Sequence, residues 1–288
     1  DATAPLEFLD GRVFLPTLGE LRIGGPGERG TVRARSADGH LVVRREGGAA
    51  ELRVARDAGE SSGWLPLRRV GGGGTPGFVL DDLDPYRDCF GVPVAPRLAP
   101  EDVRDLGARV ARAWGLLRER VPRQAADLAG AVTTLTPVRT VAAVAGGHGY
   151  GALGAGGAGT DEELALGLLR AFRRGTWQSV VATTDLYASD GTWEHRSPWR
   201  REPVSFSTLL SETFERVGMG LFDARFLPGV RQALGTMAHA AELTTDGKRV
   251  LTGLEKEIAG LPDGTSAEER PQIVTASGRP WSDLGADD

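Results

Sequence analysis

This chain of 288 residues is short of the residues on which crosslinked and metal-bound proteins depend. Cys89 is its single cysteine, which excludes an internal disulfide and a thiolate zinc cluster. Histidine is scarce as well, with four in the chain. No stretch approaches the roughly 18 apolar residues that a membrane-spanning helix needs, and no signal peptide is evident. The net charge is −5, with no lysine-rich run or basic tail to offset it, so nucleic acid is not an expected partner. Together these absences predict a cytoplasmic protein that engages neither membrane nor nucleic acid. Hydrophobic residues make up 40% of the chain and charged residues 25%, the balance of an ordinary globular fold. The first residue is Asp rather than Met, which fits a fragment, a processed form or a trimmed product equally.

The order of patterns predicts an α+β fold, with an N-terminal β-rich half and a helical C-terminal half around one core. Short β-rich runs stand at Arg12–Leu15, Thr31–Arg35, Leu41–Arg44 and Glu51–Val54, separated by turns at Asp38-Gly39 and Gly47-Gly48. Gly71 to Gly74 lacks the following Lys-Ser/Thr and helix start of a phosphate loop, so it reads as a turn. Pro100-Glu101-Asp102 opens a helix to about Arg120, and a short second helix covers Arg123 to Leu128. Val132 to Val144 is apolar and β-branched, the pattern of a buried strand. Gly146 to Gly159, with His148 and Tyr150, reads as a Gly-rich loop. Thr160 and Glu163 form a capping-box signature for a helix to Val181. Further helices are expected at Ser205 to Leu221, Pro228 to Ala241, and after Thr244 to about Ala259. One domain is expected over residues 1–261, β-rich at 12–80 and mainly helical at 100–261, with a loosely packed tail at 262–288.

The helix from Thr160 carries an unusual cluster. Arg170, Arg173 and Arg174 lie within about 80° of Leu166 on a helical wheel, on the face that also holds Trp177 and Val181. The opposite face holds Leu164, Leu168, Ala171 and Phe172, so both sides are apolar and the helix reads as buried. A guanidinium cannot shed its proton, so a buried one needs a carboxylate, a phosphate or several carbonyls. Three arrangements stay open: snorkelling to the surface, internal ion pairs with Asp185, Glu194, Glu212 or Glu215, or a pocket for an anion.

Several segments between about Leu15 and Thr252 carry a family likeness. The strongest is Leu80-Asp81-Asp82-Leu83-Asp84-Pro85-Tyr86-Arg87-Asp88-Cys89-Phe90-Gly91. Ala113-Trp114-Gly115-Leu116-Leu117, Leu135-Thr136-Pro137-Val138, Asp185-Leu186-Tyr187 and Pro198-Trp199-Arg200 add to it. Together they resemble the HExxH-motif proteins linked to ribosomally made, modified peptides (RiPPs), whose active members are described as iron- and 2-oxoglutarate-dependent peptide β-hydroxylases. That family usually has His-Gly where this chain has Phe90-Gly91. Counting back from Asp185-Leu186-Tyr187, the resemblance puts the first motif His on Arg170, the Glu on Ala171 and the second His on Arg174. It puts a further histidine of the metal site on Arg216, beside Glu215. Arginine has no lone pair to give a metal, so neither a metal nor a cofactor is expected. His40, His148, His195 and His239 do not rebuild the site, although His195 beside Glu194 is the most notable of them.

The resemblance therefore implies a metal-free, degenerate relative that acts in modified-peptide biosynthesis by binding a precursor peptide or a modifying enzyme. Exposed strand edges in the N-terminal half offer one route, by β-augmentation, and the arginine cluster another, through an acidic segment. A second implication is a metal-independent peptide-modifying enzyme, with Arg170, Arg174 and Arg216 clamping a phosphate or carboxylate and Glu215, His195 or Glu194 as acid–base groups. A third is an iron-dependent hydroxylase, should the register differ. The candidate binding set is Arg170, Arg173, Arg174, Trp199, Arg200 and Arg216. For Arg200 a local pair with Glu202 is expected beside a packed Trp199, and Arg87 is expected to satisfy two flanking carboxylates in a structural knot.

Overall fold

In the computed structural model the chain is described over residues 3–48, 51–55, 58–61, 63–140, 143–147, 151–188, 195–238 and 243–262. The expectations for His148, Tyr150, Glu194, His239 and the tail beyond 262 lie outside those residues. The fold is α+β, with most strands in the N-terminal part and most helices after it.

Three sheets are built from twelve strands among the described residues. The first pairs β1 (Thr3–Phe8), β4 (Gly30–Ala37), β5 (His40–Arg45) and β6 (Glu51–Ala55) in the order β1-β4-β5-β6, all antiparallel. Asp38 and Gly39 close the β4–β5 hairpin with φ of 51° and 74°, the left-handed pair that a two-residue turn of matching twist requires. The second sheet joins β2 (Arg12–Leu15), β3 (Gly19–Arg22) and β7 (Trp64–Pro66). The third has the order β11-β12-β10-β9-β8, from β8 (Arg68–Gly72), β9 (Thr75–Leu80), β10 (Thr134–Val138), β11 (Val144–Ala145) and β12 (Ala152–Gly156). Gly71 to Gly74 belongs to the β8–β9 hairpin, in accord with its reading as a turn.

Two sequence readings are corrected here. The strand expected over Val132 to Val144 begins at Thr134 and ends at Val138, with Val144 already in β11, and it starts late because Val132 ends the preceding helix with its N–H on the Leu128 carbonyl. Part of the expected Gly-rich loop is β12, a buried strand parallel to β10. Its glycine is a packing necessity: a Cβ on Gly154 would stand 2.6 Å from Val144 Cγ2 and 3.1 Å from Val138 Cγ1.

The helices begin where their sequences supply a start. Pro100 sits in the first turn of α1 (Pro100–Arg120), with Glu101 and Asp102 at its N-terminus and Arg118 and Arg120 in its last turn, as the helix dipole favours. Pro122 opens α2 (Pro122–Ala131). In α3 (Asp161–Val181) the capping box is complete: Thr160 Oγ1 accepts from Glu163 N at 3.1 Å, and Glu163 Oε2 accepts from Thr160 N at 2.6 Å. Ser205 caps α4 (Phe206–Phe222), and Thr244 caps α6 (Thr245–Ile258). Between them lies α5 (Leu227–Met237).

The expected single core is subdivided into three clusters of buried side chains. One lies between the five-stranded sheet and α1, α2 and α3, around Phe78, Leu80, Trp114, Leu135, Leu153 and Leu169. A second is helical and joins the end of α3 to α4, α5 and α6 around Trp177, Phe206, Val230 and Leu254. The third gathers Phe8, Val13, Leu21, Val32 and Trp64 from the smaller sheets. Leu221 packs against both the first and the second. Helix α3 spans those two clusters, which is why its first half is buried on every side, from Leu164 to Leu169. Its arginines begin where it leaves the sheet.

Candidate functional site

The site lies between α3 and α4. Residues three and four apart on a helix share a face, so Arg170, Arg174, Trp177 and Gln178 line one side of a groove. Ser207, Thr208, Ser211, Glu212 and Glu215, at the same spacing, line the other. Tyr187 and Arg200 close the pocket from the connecting segments, and it holds about 340 Å³. Tyr187 is held there by bridging to Leu243 and by setting its ring edge-on to Phe206 at 6.0 Å.

Two ion pairs form the pocket wall. Arg170 Nε donates to Glu215 Oε2 at 3.0 Å, and Glu215 is only 4% exposed. Arg200 Nε donates to Glu212 Oε1 at 2.6 Å, while the other oxygen of Glu212 accepts from Ser197 Oγ at 3.2 Å. Arg200 therefore reaches across to α4 and does not pair locally with Glu202. Ser197 Oγ also accepts from Trp199 N at 3.2 Å, which fixes the Pro198-Trp199-Arg200 segment against α4.

Behind this wall stands Arg216. Its guanidinium carbon lies 4.4 Å from the centre of the Trp199 ring, a cation–π stack. Its Nη1 is shut off from solvent and has no hydrogen-bond partner among the described residues. Burial pushes the Arg216 pKa down to about 10. The nearby Glu212 and Glu215 act against that shift, while Arg170 and Arg200 add to it. The group is still a cation at neutral pH. Arg174 is exposed at the rim and makes no ion pair or hydrogen bond among the described residues.

Arg173 goes elsewhere. It crosses α4, donating from Nε to the Phe214 carbonyl at 2.7 Å and from Nη1 to Glu257 Oε2 on α6 at 2.9 Å. Its guanidinium carbon stacks 4.4 Å from the Phe214 ring centre. Gly218 opens the passage, since a Cβ there would overlap Arg173 Cδ. The arginine cluster thus divides: Arg170 and Arg174 line the pocket with Arg200, in front of Arg216, while Arg173 ties α3 to α4 and α6. Of the expected carboxylate partners, Glu212 and Glu215 are used. Asp185 instead offers its backbone carbonyl to Thr244 Oγ1 at 2.7 Å.

Sequence reading missed several members. Glu257 is 84 residues from Arg173, too far for any helical spacing to connect them. The hydroxyl row Ser207, Thr208 and Ser211 was legible only as helical spacing after the Ser205 cap, a weak signal. Of the acid–base candidates, Glu215 lines the pocket, whereas His195 forms an isolated bridge with Val204 and packs edge-on to Phe206 at 5.4 Å. Arg87 donates to the carbonyls of Asp84 at 2.5 Å and Ala95 at 3.2 Å rather than to its flanking carboxylates. The knot is held by the Asp84 side chain, which accepts from Tyr86 N at 2.8 Å.

The residues at the pocket do not fit a metal. Among the described residues no group of three or more His, Cys, Asp or Glu could hold an ion. Arg170, Arg174 and Arg216 are donors without a lone pair to offer. Among the described residues, too, no helix is long and apolar enough to cross a membrane. No protein-family model matches the chain, and no curated protein matches it.

Proposed function

We propose that this chain is a metal-free relative of the RiPP peptide hydroxylases, acting in the cytoplasm as a binding protein for an acidic segment of a precursor peptide or of its modifying enzyme. One observation carries this reading. Arg170 and Arg174, on which the resemblance puts metal ligands, line with Arg200 one pocket that holds two carboxylates, and Arg216, the third such position, stands behind its wall. Four guanidinium groups against Glu212 and Glu215 make a site for anions, and charge-assisted bonds from arginine suit carboxylate-rich peptide. Among the described residues β1 and β6 are the edge strands of their sheet and offer a peptide backbone a place to pair.

Titration calorimetry with the precursor peptide, and with a copy whose acidic residues are replaced by their amides, tests this. Binding of the first and at least tenfold weaker binding of the second is expected. No binding of either the peptide or the modifying enzymes would sink the proposal. Metal analysis after growth in iron-supplemented medium checks its other half, since stoichiometric iron would restore the hydroxylase reading.

A metal-independent enzyme is the second reading, favoured by the position of Glu215. A buried carboxylate at the floor of a cationic pocket is suited to proton transfer. It requires peptide modification that Glu215→Gln abolishes, with the fold intact by circular dichroism.

A further inference from the structure

The wall carboxylates are already matched. Glu215 is paired with Arg170 and Glu212 with Arg200. The remaining cations, Arg174 at the rim and Arg216 behind the wall, have no carboxylate of their own among the described residues. Among the described residues the local surplus is therefore two positive charges, and neither group can lose it by deprotonation at neutral pH. Arg216 does not line the pocket and acts on it through its charge alone, which an anion held by the lining donors offsets.

Geometry selects among anions. A planar carboxylate is satisfied by one guanidinium edge in its own plane. Here the donors come from several directions: Arg170 and Arg174 from α3, Arg200 from the opposite loop, and hydroxyls from the first turns of α4. Ser205, Ser207 and Thr208 form a hydroxyl chain, with Oγ–Oγ separations of 2.9 Å and Oγ–Oγ1 separations of 3.0 Å. This chain stands at the N-terminus of a 17-residue helix, the end whose dipole favours negative charge. Ser207 and Thr208 of this chain line the pocket, and donors spread over several directions suit a tetrahedral acceptor better than a planar one. The volume of about 340 Å³ is at the small end for a ligand site, enough for a compact head group and too little for a large one.

We infer that the pocket between α3 and α4 binds a phosphate monoester dianion, with Arg174 and Arg216 supplying the charges that its wall leaves unmatched. This rests on the proposed reading of the pocket as an anion site and names the anion. The shared chemistry, a phosphate on one ester oxygen, comes from a phosphorylated side chain or from a small phosphorylated metabolite.

The test uses the full chain at pH 7.5 and fixed ionic strength, with thermal shift and calorimetry as readouts. The probes are inorganic phosphate, a phosphoserine peptide, a glutamate peptide of the same sequence, and succinate as a planar dicarboxylate. Phosphate and the phosphoserine peptide are expected to bind at least tenfold more tightly than succinate and the glutamate peptide. A tighter phosphoserine peptide assigns the source to a phosphorylated chain, and tighter free phosphate assigns it to a small metabolite. Arg174→Ala and Arg216→Met should each weaken phosphate at least tenfold, while Arg249→Ala, at an exposed pair on α6, leaves it unchanged. If Arg216→Met does not fold, the rim variant Arg174→Ala still decides. Succinate binding as tightly as phosphate, or phosphate binding that survives Arg174→Ala, overturns the inference. Preference for the glutamate peptide refutes the phosphate assignment alone, whereas binding of no probe and no precursor peptide removes the anion site as well.

Discussion

Arg173 on α3 and Arg216 on α4 make the same contact with different outcomes. Each stacks on an aromatic ring at 4.4 Å, Arg173 on Phe214 and Arg216 on Trp199. Arg173 also has the carboxylate of Glu257 and the carbonyl of Phe214, so its charge is compensated inside the fold. Each leaves one buried nitrogen without a partner among the described residues, Nη2 of Arg173 and Nη1 of Arg216, but Arg216 has no carboxylate of its own there and shares Glu212 and Glu215 with two other arginines. One arginine joins helices. The other stands where guanidinium groups outnumber carboxylates among the described residues.

The comparison can be broken by substitution, starting with the largest effect. Glu215→Ala strips the pocket wall of its most buried carboxylate and leaves Arg170 and Arg216 facing each other. A loss of about 3 kcal/mol in urea unfolding is expected, because a buried partner is removed from a charge that stays. A change below about 1 kcal/mol would mean that the wall is solvated. Gly218→Ala should cost about 1–3 kcal/mol by the same measurement, since the added methyl displaces Arg173 from its crossing. Glu257→Gln should cost less, about 1 kcal/mol, because the Glu257 side chain is 36% exposed and water screens the pair.

Arg216→Met sharpens the contrast, because its sign should differ. With no anion present the variant is expected to be as stable as the parent, or more stable by up to about 1 kcal/mol, since an incompletely matched cation is replaced by an apolar chain of similar length. The pH dependence follows from the lowered pKa. Between about 10 in the folded chain and the higher value of an ordinary arginine, the unfolded chain holds more protons. Parent stability should therefore rise with pH across that window relative to Arg216→Met, and the difference should be flat below it. A difference that falls above pH 10 would contradict the burial of this charge. Arg174→Ala should be the mildest change, within about 0.5 kcal/mol, because the residue is exposed and unpaired among the described residues.

Much of the architecture was legible where local chemistry suffices. Thr160 and Glu163 announced the start of α3, Pro100 that of α1, and Asp38-Gly39 a hairpin, because caps and turns are set by neighbours in sequence. Strand β12 was misread because Ala152–Gly156 is rich in glycine, and only crowding by Val144 and Val138 explains why a small residue is needed there. The site was half legible. Helical periodicity grouped Arg170, Arg173 and Arg174 correctly on one broad face, but that face meets two different surroundings in the fold.

The sequence by itself determined that guanidinium groups stand at 170, 173 and 174, and that they lie on a helix with apolar flanks. That follows from residue chemistry and the 3.6-residue period alone. Only the tertiary structure decided which arginine meets which carboxylate. Side chains as long as arginine reach in several directions, and their counter-ions come from segments 45 and 84 residues away. Packing of α3 across two clusters sent Arg173 to Glu257 and turned Arg170 and Arg174 toward the pocket, with Arg216 held at its back against Trp199.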